Sequence, residues 1–177
     1  MEVLEAIKIR RSVRSYKPDP LPLPLFEKLL EAIRFAPSAC NNQPWKFVLV
    51  SDPALKLKLA KAAGGQQFIA EAPLIVVGCG FPDKAYHYMG GQGNSIDVDI
   101  AIALDHLTLA AAADGIGTCW IGAFDETEVK NILNIPADVK VVAVMPLGYP
   151  ADENLLRPCP DSLRKLPEDI FSRERFA

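Results

Sequence analysis

The chain has 177 residues, of which 50% are hydrophobic and 23% charged, and its formal net charge at pH 7 is -3. This composition excludes wholesale disorder and is sufficient for one domain with a substantial core. The acidic balance, with a pI near 5.4, argues against a general nucleic-acid binder, because phosphate backbones are bound by basic faces.

The sequence also predicts no membrane partner. The longest apolar-rich run, residues 96–113, contains Asp97, Asp99 and Asp105, and three carboxylates make a poor membrane span. Residues 1–5 begin acidic and amphipathic instead of resembling a signal peptide. We therefore expect a cytoplasmic protein.

The cysteines and histidines do not form a metal-ligand pattern. No Cys-x-x-Cys pair occurs, and His87 and His106 are not at helical spacing. Zinc and iron–sulfur sites need closely spaced ligand pairs, so we predict no metal site. Cys40 has no base beside it in the sequence and is interpreted as an incidental thiol.

Hydrophobic periodicity and Pro/Gly punctuation predict helices and strands in mixed order. In chain order they are a helix over 2–9, a proline-rich arm over 18–24, a helix from 24 to 36, a strand over 45–50, a helix over 53–63, a strand over 74–79, a loop over 81–95, a helix over 96–114, a strand over 118–121, a helix over 125–133, a strand over 139–147 and an extended C-terminal arm after 148. This pattern predicts a single α/β domain of mixed order over residues 1–177.

The predicted helix 96–114 is apolar almost all round. Asn94 or Ser95 can cap its start, and Gly115 is suited to its end. A helix without a polar face is buried. In a domain of this size, that requires either a central position or a partner subunit, and we predict both.

A first candidate site, the arginine segment (residues 10–16, RRSVRSY), concentrates three arginines and a serine hydroxyl. A guanidinium is a rigid fork of donors that matches phosphate oxygens. In an acidic chain this cluster is a local feature, which favours a site for one small dianion. A solvated basic turn at a helix end is equally compatible with these residues alone.

A second candidate, the amide loop (residues 36–45, APSACNNQPW), concentrates amide and hydroxyl groups between two prolines. Such groups suit the imide edge of a flat heterocycle, although a polar turn with self-capping side chains explains the loop alone.

A third candidate, the glycine–tryptophan segment (residues 115–124, GIGTCWIGAF), has small residues that allow a planar ligand close to the backbone. An ordinary helix–Gly–strand connection is its alternative. The glycines of residues 90–96 do not fit a Gly-x-Gly-x-x-Gly phosphate loop and indicate a flexible surface loop.

Taken together, in this order and spacing, the three segments resemble the nitroreductase-like FMN-dependent oxidoreductases. The resemblance lies in residues 10–16, 37–45, 117–124 and 147–150 (LGYP) and spans nearly the whole chain. It implies a nitroreductase-like α+β fold with a central mixed β-sheet flanked by helices, a long helix that spans a subunit interface, and an extended C-terminal arm.

The resemblance also implies the residues that bind FMN. The arginine segment holds the phosphate, the amide loop touches the flavin of the partner subunit, and the glycine–tryptophan segment lies along the isoalloxazine ring. A C-terminal basic residue returns to the phosphate, and an amide near residues 66–67 lies by the ring. The implied cofactor-binding residues are Arg10, Arg11, Ser12, Arg14, Pro37, Ser38, Ala39, Asn41, Gln43, Gln67, Trp120, Ile121, Gly122, Ala123, and Arg164 or Lys165.

The implied activity is that of an FMN-dependent NAD(P)H oxidoreductase. NADH or NADPH reduces the flavin, and a nitroaromatic, quinone or related acceptor reoxidises it in a ping-pong mechanism. Flavin N5 carries the chemistry, and no protein residue is catalytic. The protein would be a homodimer with FMN at the interface. Tyr86, His87, Tyr88 and Met89 are candidates for the substrate pocket by position.

Two alternative functions remain open at this stage. One is a family member that oxidises or reduces a specific substrate on the same flavin scaffold. The other is a flavin-binding protein without turnover, which rapid flavin reduction by NADH or NADPH would exclude.

Overall fold

A four-stranded sheet lies at the centre of the computed structural model, which describes residues 1–91 and 93–176. Its strands, in the spatial order β1-β2-β4-β3, are β1 (Trp45–Val50), β2 (Leu74–Gly80), β3 (Gly117–Thr118) and β4 (Lys140–Gly148). Every ladder between neighbouring strands is antiparallel. The predicted α+β class is confirmed. The sheet was predicted to be mixed, and within the described residues its parallel pairing is limited to one isolated bridge between Ser12 and Thr118. Gln92, in the predicted loop 81–95, lies outside the described residues, as does Ala177.

Six α-helices accompany the sheet in the described part of the chain: α1 (Val3–Ile9), α2 (Leu23–Arg34), α3 (Pro53–Ala62), α4 (Phe68–Glu71), α5 (Ile96–Ala113) and α6 (Glu126–Leu133). Two helices begin with a side-chain cap, since Asp52 Oδ1 accepts from Leu55 N at 2.8 Å and Asp125 Oδ1 from Glu128 N at 2.9 Å. At the start of α5, Asn94 Oδ1 accepts from Ile96 N at 3.1 Å, and Ser95 forms no side-chain cap bond. Helix α4 is one turn long and has no sequence signal of its own.

The sheet buries both of its faces. On one face, Val76, Ala143 and Met145 pack with α2 and α5. On the other, Ile75 and Val77 pack with residues of α3, α4 and α6. Strand β2 is buried along its whole length, as its unalternating apolar sequence predicts.

Helix α5 lies close against β2 because that strand has two glycines beneath it. A Cβ atom on Gly80 would lie 2.4 Å from the Ile96 side chain, and one on Gly78 would lie 3.0 Å from Ile100. The helix therefore occupies the central position predicted for it. Asp114 ends it, and Gly115 follows with a φ of 74°.

The opposite side of α5 is only partly covered by residues 1–91 and 93–176 of the single chain. Val98 is 45% exposed, and Ile102 and Leu109 are half-buried. The three residues are spaced four and seven positions apart, so they form one stripe along the helix. Cover of this stripe by a partner subunit remains a prediction.

The predicted strand 118–121 is shorter than expected, because its partner strand contains a proline. Cys119 lies opposite Pro146 and donates its N–H to the Pro146 carbonyl at 3.2 Å. Pro146 has no N–H to return, so the ladder ends at Thr118. The same register resumes as a single bridge between Ile121 and Val144.

The chain beyond Gly148 is an extended arm with three short 3₁₀ turns. It is joined to the N-terminal region by a hydrogen bond from Cys159 N to the Lys8 carbonyl, 2.9 Å long. Among residues 1–91 and 93–176, the structure has no helix that is long and apolar enough to cross a membrane.

We expect Gly117→Ala to destabilise the fold by about 1–3 kcal/mol through overpacking. The new Cβ would lie 2.5–2.9 Å from the side-chain atoms of Val13, which is β-branched and has little rotamer freedom. Urea unfolding of the apoprotein measures the loss. Gly122→Ala is the control, since its Cβ would meet nothing closer than 3.8 Å, and equal stability of the two variants would contradict the packing argument.

Candidate functional site

The arginine segment runs as extended chain beside β3. Val13 N donates to the Thr118 carbonyl at 2.9 Å, and Val13 itself is buried. Because side chains alternate along extended backbone, the burial of Val13 turns Ser12 and Arg14 to the other side. Gly117 makes this approach possible, since any side chain there would overlap Val13.

Arg10, Ser12 and Arg14 meet beside the buried thiol of Cys119. Burial raises the pKa of that thiol. The charge of Arg14, a hydrogen bond with the Ser12 side chain and the charge of Arg10 each lower it. All three predicted phosphate ligands are therefore close to one atom of the glycine–tryptophan segment. Within the described residues neither Arg10 nor Arg14 forms an ion pair with a carboxylate. Two unpaired guanidinium groups and a hydroxyl fit the oxygens of one phosphate dianion.

Arg11 has a different contact from its two neighbours. Its Nη2 donates to the Pro158 carbonyl at 2.9 Å, so the guanidinium holds the C-terminal arm. Its buried Nε has no hydrogen-bond partner among the described residues. The structure thus gives Arg11 a role in attaching the arm, which the sequence did not predict.

The arm brings one of the two candidate C-terminal residues to the arginine segment. Arg164 and Arg10 line the same surface depression, together with Lys8 and Asp161. Lys165 is exposed and is not among the residues that line this depression.

Tyr16, the last residue of the arginine segment, is buried and has a role that the sequence did not predict. Its hydroxyl hydrogen is shared between the carbonyls of Val13, at 2.7 Å, and Pro146, at 3.2 Å. Burial raises the pKa of Tyr16, the Cys119 thiol adds to the rise, and Arg14 opposes it. The phenol therefore stays neutral and ties the segment to β4.

The amide loop has a strained backbone. Cys40, Asn41 and Gln43 have φ angles of 52°, 55° and 48°, in the left-handed region that non-glycine residues rarely adopt. Within the loop, Gln43 N donates to Ser38 Oγ at 2.9 Å. Strain of this kind persists only when surrounding contacts hold it.

One of those contacts comes from Asp99 in the first turn of α5. Its Oδ1 accepts from Ala39 N at 2.9 Å, and its Oδ2 accepts from the Ser95 hydroxyl at 2.6 Å. Sequence reasoning treated Asp99 only as a charge unsuited to a membrane. The available signal was a carboxylate in a helix that is apolar almost all round.

The amide loop and the arginine segment lie at opposite ends of α5. Asp99 holds the loop near the start of the helix, whereas Ala112, near its end, lines a crevice with Arg10 and Val13. At a rise of 1.5 Å per residue, Asp99 and Ala112 are about 20 Å apart along the axis. In the part of the chain that the structure describes, no hydrogen bond or ion pair joins the loop to the segment. A single chain thus places the loop away from the other two clusters.

Most of the remaining predicted ring contacts follow Cys119 directly in the chain. Trp120 is 41% exposed, Ile121 is buried, and Gly122 and Ala123 are exposed. Gln67 is exposed in the turn that precedes α4. The next residue, Phe68, packs on the cluster of Val13, Tyr16 and Ala72.

The predicted pocket loop is open to solvent. Tyr86 is 38% and Tyr88 74% exposed, and His87 is also exposed. Among residues 1–91 and 93–176, no group of three or more His, Cys, Asp and Glu side chains is arranged to hold a metal ion.

Comparison with known proteins gives consistent matches. The sequence model of one family, the Nitroreductase family, matches residues 7–149. An NADH dehydrogenase of Thermus thermophilus is 34% identical over 173 residues, covering 81% of this chain and 84% of the relative. An FMN reductase (NAD(P)H) of Bacillus subtilis is 29% identical over 188 residues, covering 98% and 73%. The solved structure of an FMN-dependent nitroreductase of Clostridium difficile R20291 has a TM-score of 0.83 at 25% identity and covers 98% of this chain and 99% of its own.

We expect Tyr16→Phe to flatten the loss of stability at alkaline pH. The folded state, with its raised pKa, retains the phenolic proton where the unfolded chain, with an ordinary pKa of 10.0, releases it. The contribution of Tyr16 is therefore complete below pH 10.0 and declines as the pH rises above that value. At neutral pH the variant should lose about 1 kcal/mol from the missing hydrogen bond.

Urea unfolding across the alkaline range measures both effects. Cys79, whose burial raises its pKa to about 11, contributes equally to the wild type and the variant. Tyr88→Phe, at an exposed position, is the control. Parallel alkaline declines of wild type and Tyr16→Phe would refute the assignment.

Proposed function

The chain belongs to the nitroreductase family, and from that premise we propose that it is an FMN-dependent oxidoreductase that takes electrons from NADH or NADPH. The acceptor is a nitroaromatic, a quinone or a related small molecule. The observation that carries the proposal is the meeting of Arg10, Ser12 and Arg14, without carboxylate partners, beside Cys119. Relatives named as an FMN reductase and an FMN-dependent nitroreductase support the choice of cofactor.

Arg10, Ser12 and Arg14 hold the phosphate of FMN, with charge-assisted hydrogen bonds from the two guanidinium groups. Arg164 approaches the same phosphate from the arm, because it already lines a depression with Arg10. Arg11 acts indirectly by fixing the arm at Pro158. When bound, FMN supplies the two-electron redox chemistry.

The glycine–tryptophan segment lies along the flavin ring. Exposed Gly122 and Ala123 leave room for a planar group, Trp120 offers a partly exposed ring, and Gln67 offers an amide. The backbone N–H of Ile121 is bonded to Val144, so the segment is held in place by β4.

The amide loop contacts the flavin of the partner subunit in a homodimer. The residues of this contact are Pro37, Ser38, Ala39, Asn41 and Gln43. Two observations support the arrangement: the loop and the arginine segment lie at opposite ends of α5, and the stripe of Val98, Ile102 and Leu109 is partly exposed in one chain. A partner that covers the stripe can bring its own loop to this chain's phosphate site.

The electron donor and the acceptor would bind in turn at the same place, which gives ping-pong kinetics. Among the described residues, His87 in the candidate pocket loop is exposed to solvent and is not held as a catalytic acid or base. Its residues therefore bind and orient the reactants, and their donor groups stabilise negative charge. A cytoplasmic location remains a prediction.

The first test is the visible absorption of the purified protein before and after anaerobic NADH or NADPH. We expect flavin bands that bleach, followed by parallel lines in double-reciprocal plots with a nitroaromatic or quinone acceptor. Bleaching with turnover of only one specific substrate would support the narrower alternative. Bands that persist with both donors would contradict NAD(P)H oxidoreductase activity.

Arg14→Gln should weaken FMN binding by about ten-fold or more, because a hydrogen bond to a charged group contributes about 1.5–3 kcal/mol. Fluorescence titration of the apoprotein with FMN gives the Kd. Arg34→Gln is the matched control, since Arg34 is paired with Glu31 on α2. An unchanged Kd in Arg14→Gln would remove the arginine segment from the site.

Leu109→Glu should convert the proposed dimer into monomers and abolish FMN retention, because it places a charge at the C-terminal end of the partly exposed α5 stripe. Sedimentation velocity measures the mass, and absorbance measures the retained flavin. Leu57→Glu, which alters a 50% exposed leucine on α3, is the control. A dimeric, flavin-loaded Leu109→Glu protein would exclude this face as the interface.

A further inference from the structure

Asp99 is a buried carboxylate with no cation beside it. It is 2% exposed, and among the described residues no Lys, Arg or His forms an ion pair with it. Its stabilisation comes from two hydrogen-bond donors and from the positive end of α5, where it occupies the first turn. An apolar residue would fill this position at less electrostatic cost, so the carboxylate needs another explanation.

The two oxygens of Asp99 connect two separate loops. Oδ1 accepts from Ala39 N in the amide loop, at 2.9 Å. Oδ2 accepts from the Ser95 hydroxyl at 2.6 Å, and the Ser95 oxygen in turn accepts from Tyr86 N at 3.1 Å. The planar carboxylate of Asp99 thus holds both loops relative to α5, one directly and the other through Ser95.

The amide loop depends on such a contact. Cys40, Asn41 and Gln43, which follow Ala39 directly, all have left-handed φ angles, and each such residue costs about 1–3 kcal/mol unless its surroundings hold it. Ser38 Oγ stabilises the turn from within, whereas Asp99 fixes the loop to the body of the protein. The directions of the Asn41 and Gln43 side chains follow from this backbone.

We propose that Asp99 is a positioning residue for the redox reaction. It holds the amide loop in the conformation that presents Asn41 and Gln43 to the partner's flavin, and through Ser95 it couples this loop to the loop of Tyr86. The inference rests on the proposed function, in which the amide loop contacts the flavin ring. Asp99 itself touches neither flavin nor substrate.

The test compares Asp99→Asn with Asp97→Asn. Both remove a carboxylate from the first turn of α5, but Asp97 is exposed and pairs with Lys140. An asparagine at 99 keeps the volume but replaces one acceptor oxygen with a donor NH2 and removes the charge, so the two charge-assisted bonds from Ala39 N and the Ser95 hydroxyl cannot both persist. Ser95→Ala is a second variant that leaves the Ala39 bond intact and removes only the hydroxyl, which contacts Asp99 Oδ2 and Tyr86 N, while Ser95 N still donates to the Tyr86 carbonyl at 2.8 Å.

The first measurement is amide hydrogen exchange of the apoprotein by NMR. In Asp99→Asn, we expect exchange at Ala39, Tyr86 or both to accelerate by about ten-fold, the effect of losing one hydrogen bond. Asp97→Asn should exchange as the wild type does. This measurement does not depend on flavin, so it tests the connection between the two loops by itself.

The second measurement is on the FMN-loaded proteins. Asp99→Asn should retain FMN with an unchanged Kd, because the phosphate contacts remain, but with an altered visible circular dichroism of the flavin and a lower kcat. Ser95→Ala should raise KM for the acceptor and leave the flavin spectrum unchanged. A residue that acted only on global stability would change none of these signals in the folded protein.

The outcomes separate the two hypotheses. If Asp99→Asn matches Asp97→Asn in exchange, spectrum and kinetics, the positioning role is wrong and the proposed function stands. If exchange changes but the flavin spectrum and kcat do not, the connection is structural only, and the inference also fails. If the wild type binds no FMN, the proposed function fails, and this inference fails with it.

Discussion

The length and rigidity of α5 determine the arrangement of the candidate site. The helix can lie against β2 only because Gly78 and Gly80 present no side chains to it. Once there, it carries the amide loop near one end and contacts the arginine segment near the other, about 20 Å away along its axis. A rigid helix cannot shorten that distance, so the proposed contact of both clusters with one flavin requires the association of two chains. The apolar stripe along the partly exposed side of α5 supplies a surface for that association.

Pro146 shows how one residue in the sheet shapes the site. In the middle of a sheet a proline removes a ladder hydrogen bond, and here the loss falls opposite Cys119. The strand therefore ends before Trp120, whose side chain is exposed. The Pro146 carbonyl still accepts two hydrogen bonds, from Cys119 N and from the Tyr16 hydroxyl. Pro146 thus shortens β3, leaves the glycine–tryptophan segment open and accepts the hydrogen bond that anchors the arginine segment.

Local signals were sufficient to predict most of the fold. Strand β1 was predicted with its observed bounds, and α3 and α6 were each predicted to within one residue at both ends. The failures had causes at long range. The early end of β3 depends on a proline 27 residues later, the attachment of Arg11 depends on the arm, and α4 forms by packing without a pattern of its own. Asp99 could be recognised as polar in an apolar helix, but its partners come from two loops that no periodicity places nearby.

The charges of the arginine segment have a consequence for the rate of ligand capture. The protein is acidic overall, yet Lys8, Arg10 and Arg164 share one depression, balanced there by Asp161 alone. Such a contrast focuses the electric field on one place, so an anion is repelled by the general surface and drawn to that depression. Flavin phosphates and nicotinamide dinucleotides are all anions. Their association should therefore slow as salt screens the field, because the Debye length is about 8 Å at physiological ionic strength. At low ionic strength the charge distribution raises the association rate of anionic redox cofactors over that of neutral molecules.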